Sequence, residues 1–302
     1  MITIILNGKK AGLPSVREAI ATFRKEVDGV QVRVTYEYGD VERFMLEAIQ
    51  SGVKRLIIGG GDGSVNEIVD AMAKLPREAR PELAILPLGT ANDFATACEI
   101  PLESLDALRF AVSESPTPID IGKANDRHFV NMATAGFGAQ VTAETPVELK
   151  NFLGGGAYTL TGVLKAMNFV PYSSNITTPQ DGFQNHDIIA GAICNGKQAG
   201  GGQVLAPNAL INDGLLDVVG ISNFTLADIP QVLEEIKNPS SKGAFIKYLQ
   251  TPWLESESEK IIPVNLDGEP YSSHKIRFEV LPFAIDLVLA EDCPCITKKS
   301  SY

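Results

Sequence analysis

The 302-residue chain is short of several things, and each shortage excludes a class of protein. It carries 26 Lys and Arg against 37 Asp and Glu, a formal charge of -11. That balance removes the diffuse positive field with which nucleic-acid binders and binders of anionic membranes gather their targets. No nucleic-acid partner is expected, and an anionic ligand has to be held by local donors. No apolar run reaches the roughly 18 residues of a membrane span, and the stretch Met1 to Gly8 is too short for a secretory segment. A cytoplasmic protein is the expectation. Only four cysteines occur, Cys98, Cys194, Cys293 and Cys295, in neither a dense disulfide framework nor paired C-x-x-C units, and the three histidines lie far apart. A structural zinc site is not expected, and His128, His186 and His274 receive no role. What is plentiful is apolar content, 44% hydrophobic against 21% charged, enough for one or two buried cores rather than disorder.

From residue 2 to about 112, short apolar runs alternate with segments of helical period, the pattern of strands crossing over through helices into a parallel sheet. Strands are predicted at Ile2 to Leu6, Val30 to Tyr36, Val53 to Ile58 and Leu83 to Leu86. Ser15 with Glu18 has capping-box spacing, and Asp40 starts a further helix. At Ser113-Glu114-Ser115-Pro116-Thr117-Pro118 the composition turns polar and proline-rich. Beyond it strands predominate, at Asp187 to Cys194, Leu215 to Ile221, Ile261 to Leu266 and Ile276 to Leu281, with helices near 157–168 and 225–237. The reading is an α/β unit over residues 1–120 and a β-rich unit over 121–302. Whether the last residues return to the first unit is left open.

Leu56-Ile57-Ile58-Gly59-Gly60-Gly61-Asp62-Gly63-Ser64-Val65-Asn66-Glu67 runs from a buried-type strand through glycines into a helix. Such a turn lets backbone N–H groups approach phosphate oxygens where the helix presents its positive end. It is neither a P-loop nor the dinucleotide fingerprint, because no Gly-Lys-Ser/Thr follows and Asp62 interrupts the glycines. A carboxylate there repels a polyphosphate unless a cation intervenes, which points to magnesium. Ser64 and Glu67 also fit a capping box, a purely structural use. A second turn of the same design is Leu86-Pro87-Leu88-Gly89-Thr90-Ala91-Asn92-Asp93, where Thr90 and Asp93 repeat the cap spacing and Asn92 and Asp93 are candidate metal or water partners. Two such turns on neighbouring parallel strands make one nucleotide-sized grip.

Three further segments have two readings each. Asn208 to Asp217 holds an Asp213-Gly214 turn, which the residues alone leave as an ordinary turn, although carbonyls beside a carboxylate suit a hard cation. Asn265-Leu266-Asp267-Gly268-Glu269-Pro270 is hairpin chemistry, with Glu269 either a solvated turn residue or a rigid proton acceptor. The glycine-rich stretch from Phe152 to Tyr158, continued by Leu160, Leu164 and Met167, is either core or shelter for an acyl chain.

Gly59 to Ser64, Pro87 to Ala95 and Leu266 to Glu269, in this order and spacing, resemble the diacylglycerol kinase catalytic family. Gly89 to Ala95, Gln198 to Gln203 and Asn208 to Leu216 look closest to the bacterial YegS-type lipid kinases, over nearly the whole chain. The resemblance implies an α/β nucleotide domain with a C-terminal β-sandwich and an active site in the cleft between them. It implies an ATP-dependent lipid kinase that moves the γ-phosphoryl group to a lipid hydroxyl, with a transient membrane-surface contact. By motif match the nucleotide contacts are Thr35, Gly61, Asp62, Gly63, Ser64, Val65, Asn66, Glu67 and Thr90, and Glu269 with Asp62 is catalytic. The turn at 208–217 becomes a site for magnesium or calcium formed by Asp213 and the carbonyls of Leu210 and Leu215. Many relatives have Asn-Pro at Asn7-Gly8, Thr at Ser64 and Gly at Ala91. Two other readings stand beside the lipid kinase: a kinase for a soluble alcohol such as NAD, and a nucleotide-responsive binder without turnover.

Overall fold

A computed structural model of the chain describes residues 1–136, 174–179 and 188–297, apart from 223, 239 and 241. The helix expected near 157–168 and the glycine-rich stretch at 152–167 lie outside the described residues.

The first half is built from β1 (Ile2–Leu6), α1 (Gly8–Ala11), α2 (Pro14–Glu26), β2 (Val30–Val34), α3 (Asp40–Gln50), β3 (Arg55–Gly60), α4 (Asp62–Ala73), β4 (Glu82–Pro87), α5 (Asp93–Ala97) and α6 (Ser104–Ser113). β2, β1, β3 and β4 lie side by side, all parallel. Their apolar runs are explained by cover on both faces. Ile5, Leu56, Ile58, Leu83 and Ile85 pack with α3, α4 and α5 on one face. Ile4, Leu6, Ile57, Ala84 and Leu86 pack with α2 and α6 on the other.

The second half comprises β5 (Pro116–Ala124), β6 (Arg127–Phe129), β7 (Met132–Gly136), β8 (Asn175–Thr177), β9 (Ile188–Cys194), the small hairpin β10 (Gln198–Ala199) and β11 (Gln203–Val204), β12 (Leu216–Ser222), α7 (Ile229–Lys237), β13 (Ile246–Thr251), β14 (Trp253–Leu266) and β15 (Glu269–Val288). Antiparallel pairing runs β13, β12, β9, β7, β14, β15. β15 is 20 residues long. It starts at the hairpin with β14 and ends beside β4, pairing in parallel at Leu287 and Leu83. One strand therefore carries the chain from the second half into the sheet of the first.

Three cap readings are corrected. α2 begins at Pro14 with Leu13 as N-cap, so Ser15 sits inside the first turn. α4 begins at Asp62 behind Gly61, leaving Ser64 in the first turn. α5 begins at Asp93 behind Asn92, so Thr90 is not its cap. The spacing rule finds a hydroxyl three residues before an acid, but Pro14, Gly61 and the left-handed Asn92 set where these helices start. The cysteines also depart from expectation. The segment after β15 returns Cys293 and Cys295 to the core of the first half beside Cys98, a proximity that sequence spacing cannot show.

Ile285 of β15 is wholly buried in that same core. Ile285→Ala is expected to cost about 2–5 kcal/mol, read as a lowered urea midpoint of the whole chain. A loss within about 0.5 kcal/mol, the range of surface substitutions, would remove β15 from the folding core.

Candidate active site

β3 and β4 end together, with Gly59 opposite Leu86 and Gly60 opposite Pro87, so both glycine turns leave the same edge of the sheet. They touch through their backbones. A Cβ built on Gly89 would lie 2.5 Å from Gly61 Cα and 2.6 Å from Asn92 Oδ1, and one on Gly61 would lie 3.0 Å from Gly89 Cα. Only glycine fits such an approach. Asn92, in the left-handed region at φ 52°, closes the second turn by accepting from Gly89 N–H at 2.7 Å and donating to Gly89 O at 3.1 Å. In α4 the first intrahelical donors are Ser64 and Val65, both to Gly61 O, so the amides of Asp62 and Gly63 precede the ladder at the helix's positive end.

Asp62 joins the turns. Its carboxylate accepts from Phe94 N–H at 3.2 Å, so the acid of the first turn serves the first amides of α5. Burial raises its pKa and the charge of Asp93 adds to the rise, against hydrogen bonds from the Phe94 and Asp93 amides. Asp93 itself is committed: its oxygens accept from Gly201 N–H at 3.0 Å and Gly202 N–H at 2.6 Å, tying α5 to the β10–β11 hairpin. Asn92 and Asp93 are thus both engaged within the protein, Asn92 in its own turn and Asp93 on the β10–β11 hairpin.

Glu269 is presented by a two-residue hairpin. Leu266 pairs with Glu269 across Asp267 and Gly268, whose φ values are 49° and 103°, the sign required by the tight turn that follows strand twist. Asp267 anchors the tip by accepting from Val130 N–H at 2.6 Å, Met132 N–H at 2.7 Å and Asn131 N–H at 3.2 Å. Asn66 of α4, in the orientation its neighbours require, donates to Asp267 at 3.2 Å and to His128 O at 3.1 Å. Asp70, one turn further along α4, accepts from His128 N–H at 3.0 Å and meets its Nδ1 at 2.9 Å. Burial opposes ionisation of Asp70, but hydrogen bonds from His128 and Lys74 outweigh it and hold the carboxyl well below its ordinary value. α4 is thereby fastened to the second half. Glu67 on the same helix is exposed at its surface, yet partial desolvation of its carboxyl and then the charges of Glu269 and Asp40 raise its pKa.

The remaining candidates are placed as follows. Thr35 follows β2, where its Oγ1 accepts from Gly8 N–H at 3.2 Å. A Cβ on Gly8 would meet Thr35 O at 2.1 Å, which accounts for glycine after Asn7. Asn7 donates to Ser64 Oγ at 3.3 Å, linking the first strand's tip to the glycine turn. Gly63 and Thr90 are exposed. Val65 is buried in the core, so its side chain does not face the turn's surface. Asn66 is the bridge just described. Leu210, Asp213 and Leu215 stand apart from the glycine turns. Asp213 accepts from Leu215 N–H at 3.0 Å, and burial followed by the charge of Asp120 raises its pKa. Asp120 accepts from Gly214 N–H at 2.7 Å and Phe283 N–H at 2.8 Å. The roles of Asp267, Asn66, Asp120 and His128 were not read from the sequence. Asp267 carried a signal, a carboxylate beside the candidate acceptor, but it was indistinguishable from turn chemistry.

Residues 1–124 match the diacylglycerol kinase catalytic domain, and residues 131–289 match the YegS C-terminal NAD kinase beta sandwich-like domain. A Shewanella frigidimarina protein named "Probable lipid kinase YegS-like" is 52% identical over 99% of this chain and 97% of its own. A Chromohalobacter salexigens protein of the same name is 48% identical over 95% and 93%. A solved Bacillus anthracis chain superposes with TM-score 0.78 at 25% identity, covering 96% of each chain. A crystal structure of a diacylglycerol kinase from that organism gives 0.73 at 21% identity over 98% of both, a likeness of fold. The two catalytic-edge glycine turns, the hairpin glutamate and this near-complete coverage give one answer: the chain belongs to the diacylglycerol kinase-like, YegS-like lipid kinase family. It is a two-domain enzyme, an N-terminal catalytic domain with a mixed parallel sheet and a C-terminal β-sandwich.

Asp267 supplies a pH test. Burial pushes its carboxyl up to about 6, against the three backbone amides and with the charge of Asp62 adding to the rise. An acid with a higher pKa folded than unfolded gives stability that is complete below its ordinary value near 3.8 and is lost as pH rises to about 6. Asp40, lowered to about 2, acts in the opposite direction and only below that window. The denaturation midpoint is expected to fall between pH 4 and 6, with a smaller fall in Asp267→Asn. An identical slope in the variant would place the titration elsewhere, with Asp217, pushed up to about 6 by burial, the next group to test.

Proposed function

We propose that the enzyme transfers the γ-phosphoryl group of ATP to the hydroxyl of a lipid, with magnesium, at the edge where the two glycine turns meet the β14–β15 hairpin. The observation that carries this reading is the backbone contact of Gly61 and Gly89, which places two amide-bearing turns side by side within reach of one polyphosphate. Phosphoryl transfer asks a protein mainly for positioning and charge stabilisation. Gly61 to Ser64, Glu67, Thr90 and Thr35 hold the nucleotide, chiefly through the amides of Asp62 and Gly63, while Val65, its N–H bonded to Gly61 O, and Asn66, bonded to Asp267, support the turn from within the protein. Glu269, rigid on its hairpin, accepts the proton of the attacking hydroxyl.

Asp62 fits magnesium: it is a hard carboxylate donor held at the glycine turns by the Phe94 amide, and the charge of Asp93 beside it is one that a divalent cation offsets. Bound there, the ion supplies neutralisation of phosphate charge. Asp213 with the carbonyls of Leu210 and Leu215 forms an oxygen-only set suited to a structural magnesium or calcium ion, where Asp120 adds to the negative charge. No helix among the described residues is long and apolar enough to cross a membrane. We infer a cytoplasmic enzyme that reaches its lipid by transient contact with the membrane surface. With a net charge of -11, that contact relies on apolar and aromatic surface, and Tyr36 and Tyr38, 97% and 96% exposed beside Thr35, contribute to it.

Glu269→Gln is expected to keep ATP binding and to lose about 10²–10⁴-fold in transfer from labelled ATP to extracted lipids. Undiminished turnover would remove Glu269 from the chemistry, and transfer confined to soluble alcohols would replace the lipid with such an acceptor. Asp62→Asn keeps an oxygen for the Phe94 amide but removes the charge. Calorimetry should show ATP binding that no longer strengthens with magnesium, and an unchanged magnesium dependence would refute the assignment.

A further inference from the structure

Cys98 caps the C-terminal end of α5, while Cys293 and Cys295 flank Pro294 in the segment that follows β15. The three Sγ atoms all lie within 4.8 Å of one another, and the residues are 0%, 2% and 1% exposed. All three thiols are free. A disulfide joins two sulfurs and would strand the third, and a bridge between Cys293 and Cys295 would have to close across a single proline. Three sulfurs converging on one point are instead the ligand set of a soft metal ion. Zinc–sulfur bonds of about 2.3 Å around a tetrahedral ion put sulfurs about 3.8 Å apart, so the observed cluster needs only a small contraction.

The surroundings agree with that use. Phe94, Ile100 and Ile211 pack in the same core, which keeps water and competing hard ligands away. Three thiolates around a divalent ion leave one negative charge. Lys197 answers it, for its ammonium donates to Pro294 O at 2.7 Å, between the two cysteines. The Ala97 carbonyl, which accepts from Cys295 Sγ at 3.0 Å, lies beside the cluster.

We propose that Cys98, Cys293 and Cys295 form a buried binding site for one thiophilic d10 cation, Zn2+ or Cu+. Binding replaces the thiol protons of the three cysteines with bonds to the metal and releases those protons to solvent. The ion would staple the C-terminal segment to α5, the helix that follows the second glycine turn. That same segment is bonded to the turn at 208–214, where Ile211 N–H donates to Cys295 O at 2.8 Å and Thr297 N–H donates to Asn212 Oδ1 at 2.7 Å. The site stands independently of the proposed phosphoryl transfer.

The test uses the full chain, reduced and stripped of metal, then titrated separately with Zn2+ against a chromophoric chelator, Cu+ against a competing copper(I) chelator, and Co2+ as a spectroscopic probe. The expected result is one ion per chain, a thiolate-to-cobalt charge-transfer band, and a higher melting temperature with the bound metal. Cys98→Ser, Cys293→Ser and Cys295→Ser should each abolish the band. Cys194→Ser, whose thiol is buried in a separate core, should leave it intact. If the serine variants do not fold, X-ray absorption on the metal-loaded wild type decides, three sulfur neighbours being required. A folded, fully reduced wild type that takes up no ion would overturn the proposal. So would uptake that survives Cys98→Ser, or an ion with only oxygen and nitrogen neighbours.

Discussion

The contact between Gly61 and Gly89 is the constraint on which this edge of the parallel sheet depends. Parallel strands deliver their ends at the same level, but two turns can share a ligand only if nothing separates them. A methyl group on Gly89 would collide with the Cα of Gly61, and one on Gly61 would press on the Cα of Gly89 at 3.0 Å. Asp62 then holds the pair in place by reaching across to the Phe94 amide, so the geometry is fastened by a side chain that also carries charge. Gly8 obeys the same logic one strand away, where the Thr35 carbonyl occupies the space a larger residue would need. The edge is shaped by missing side chains as much as by those present.

Beside the apolar core that the two domains share, buried polar groups fix how the second domain sits on this edge. Asp267, buried among three backbone amides, and Asn66 between Asp267 and the His128 carbonyl form one continuous network with Asp70. Buried polar groups are costly unless each is satisfied, so such a network specifies one docking of hairpin on helix and tolerates few others. Asp93 repeats the device on the far side through Gly201 and Gly202. The glutamate at the hairpin's start owes its place to these neighbours.

The strands of the first domain and the two glycine turns were legible in the sequence because burial on both faces writes a continuous apolar run and a tight turn demands glycine. The hairpin at Asp267-Gly268 was equally plain. The family was readable from motif order over nearly the whole chain, and the comparisons establish it. Helix starts were less legible: Ser64 and Thr90 have the spacing of caps, yet Gly61 and Asn92 occupy those positions. The convergence of Asn66, Asp70 and His128 with Asp267, and of Cys98 with Cys293 and Cys295, was hidden altogether. Each depends on a chain return of more than fifty residues, and local pattern carries no record of it.

β15 has a mechanical consequence. It belongs to both domains, so any opening of one against the other is transmitted along its backbone. Its ladder with β5 slips between Leu281 and Ile285, and Phe283 there adopts a φ of 51°. A bulge of this kind bends its strand and tightens the local twist. The angle set at Leu281 to Ile285 is therefore imposed on both domains at once, because they share the strand that carries it.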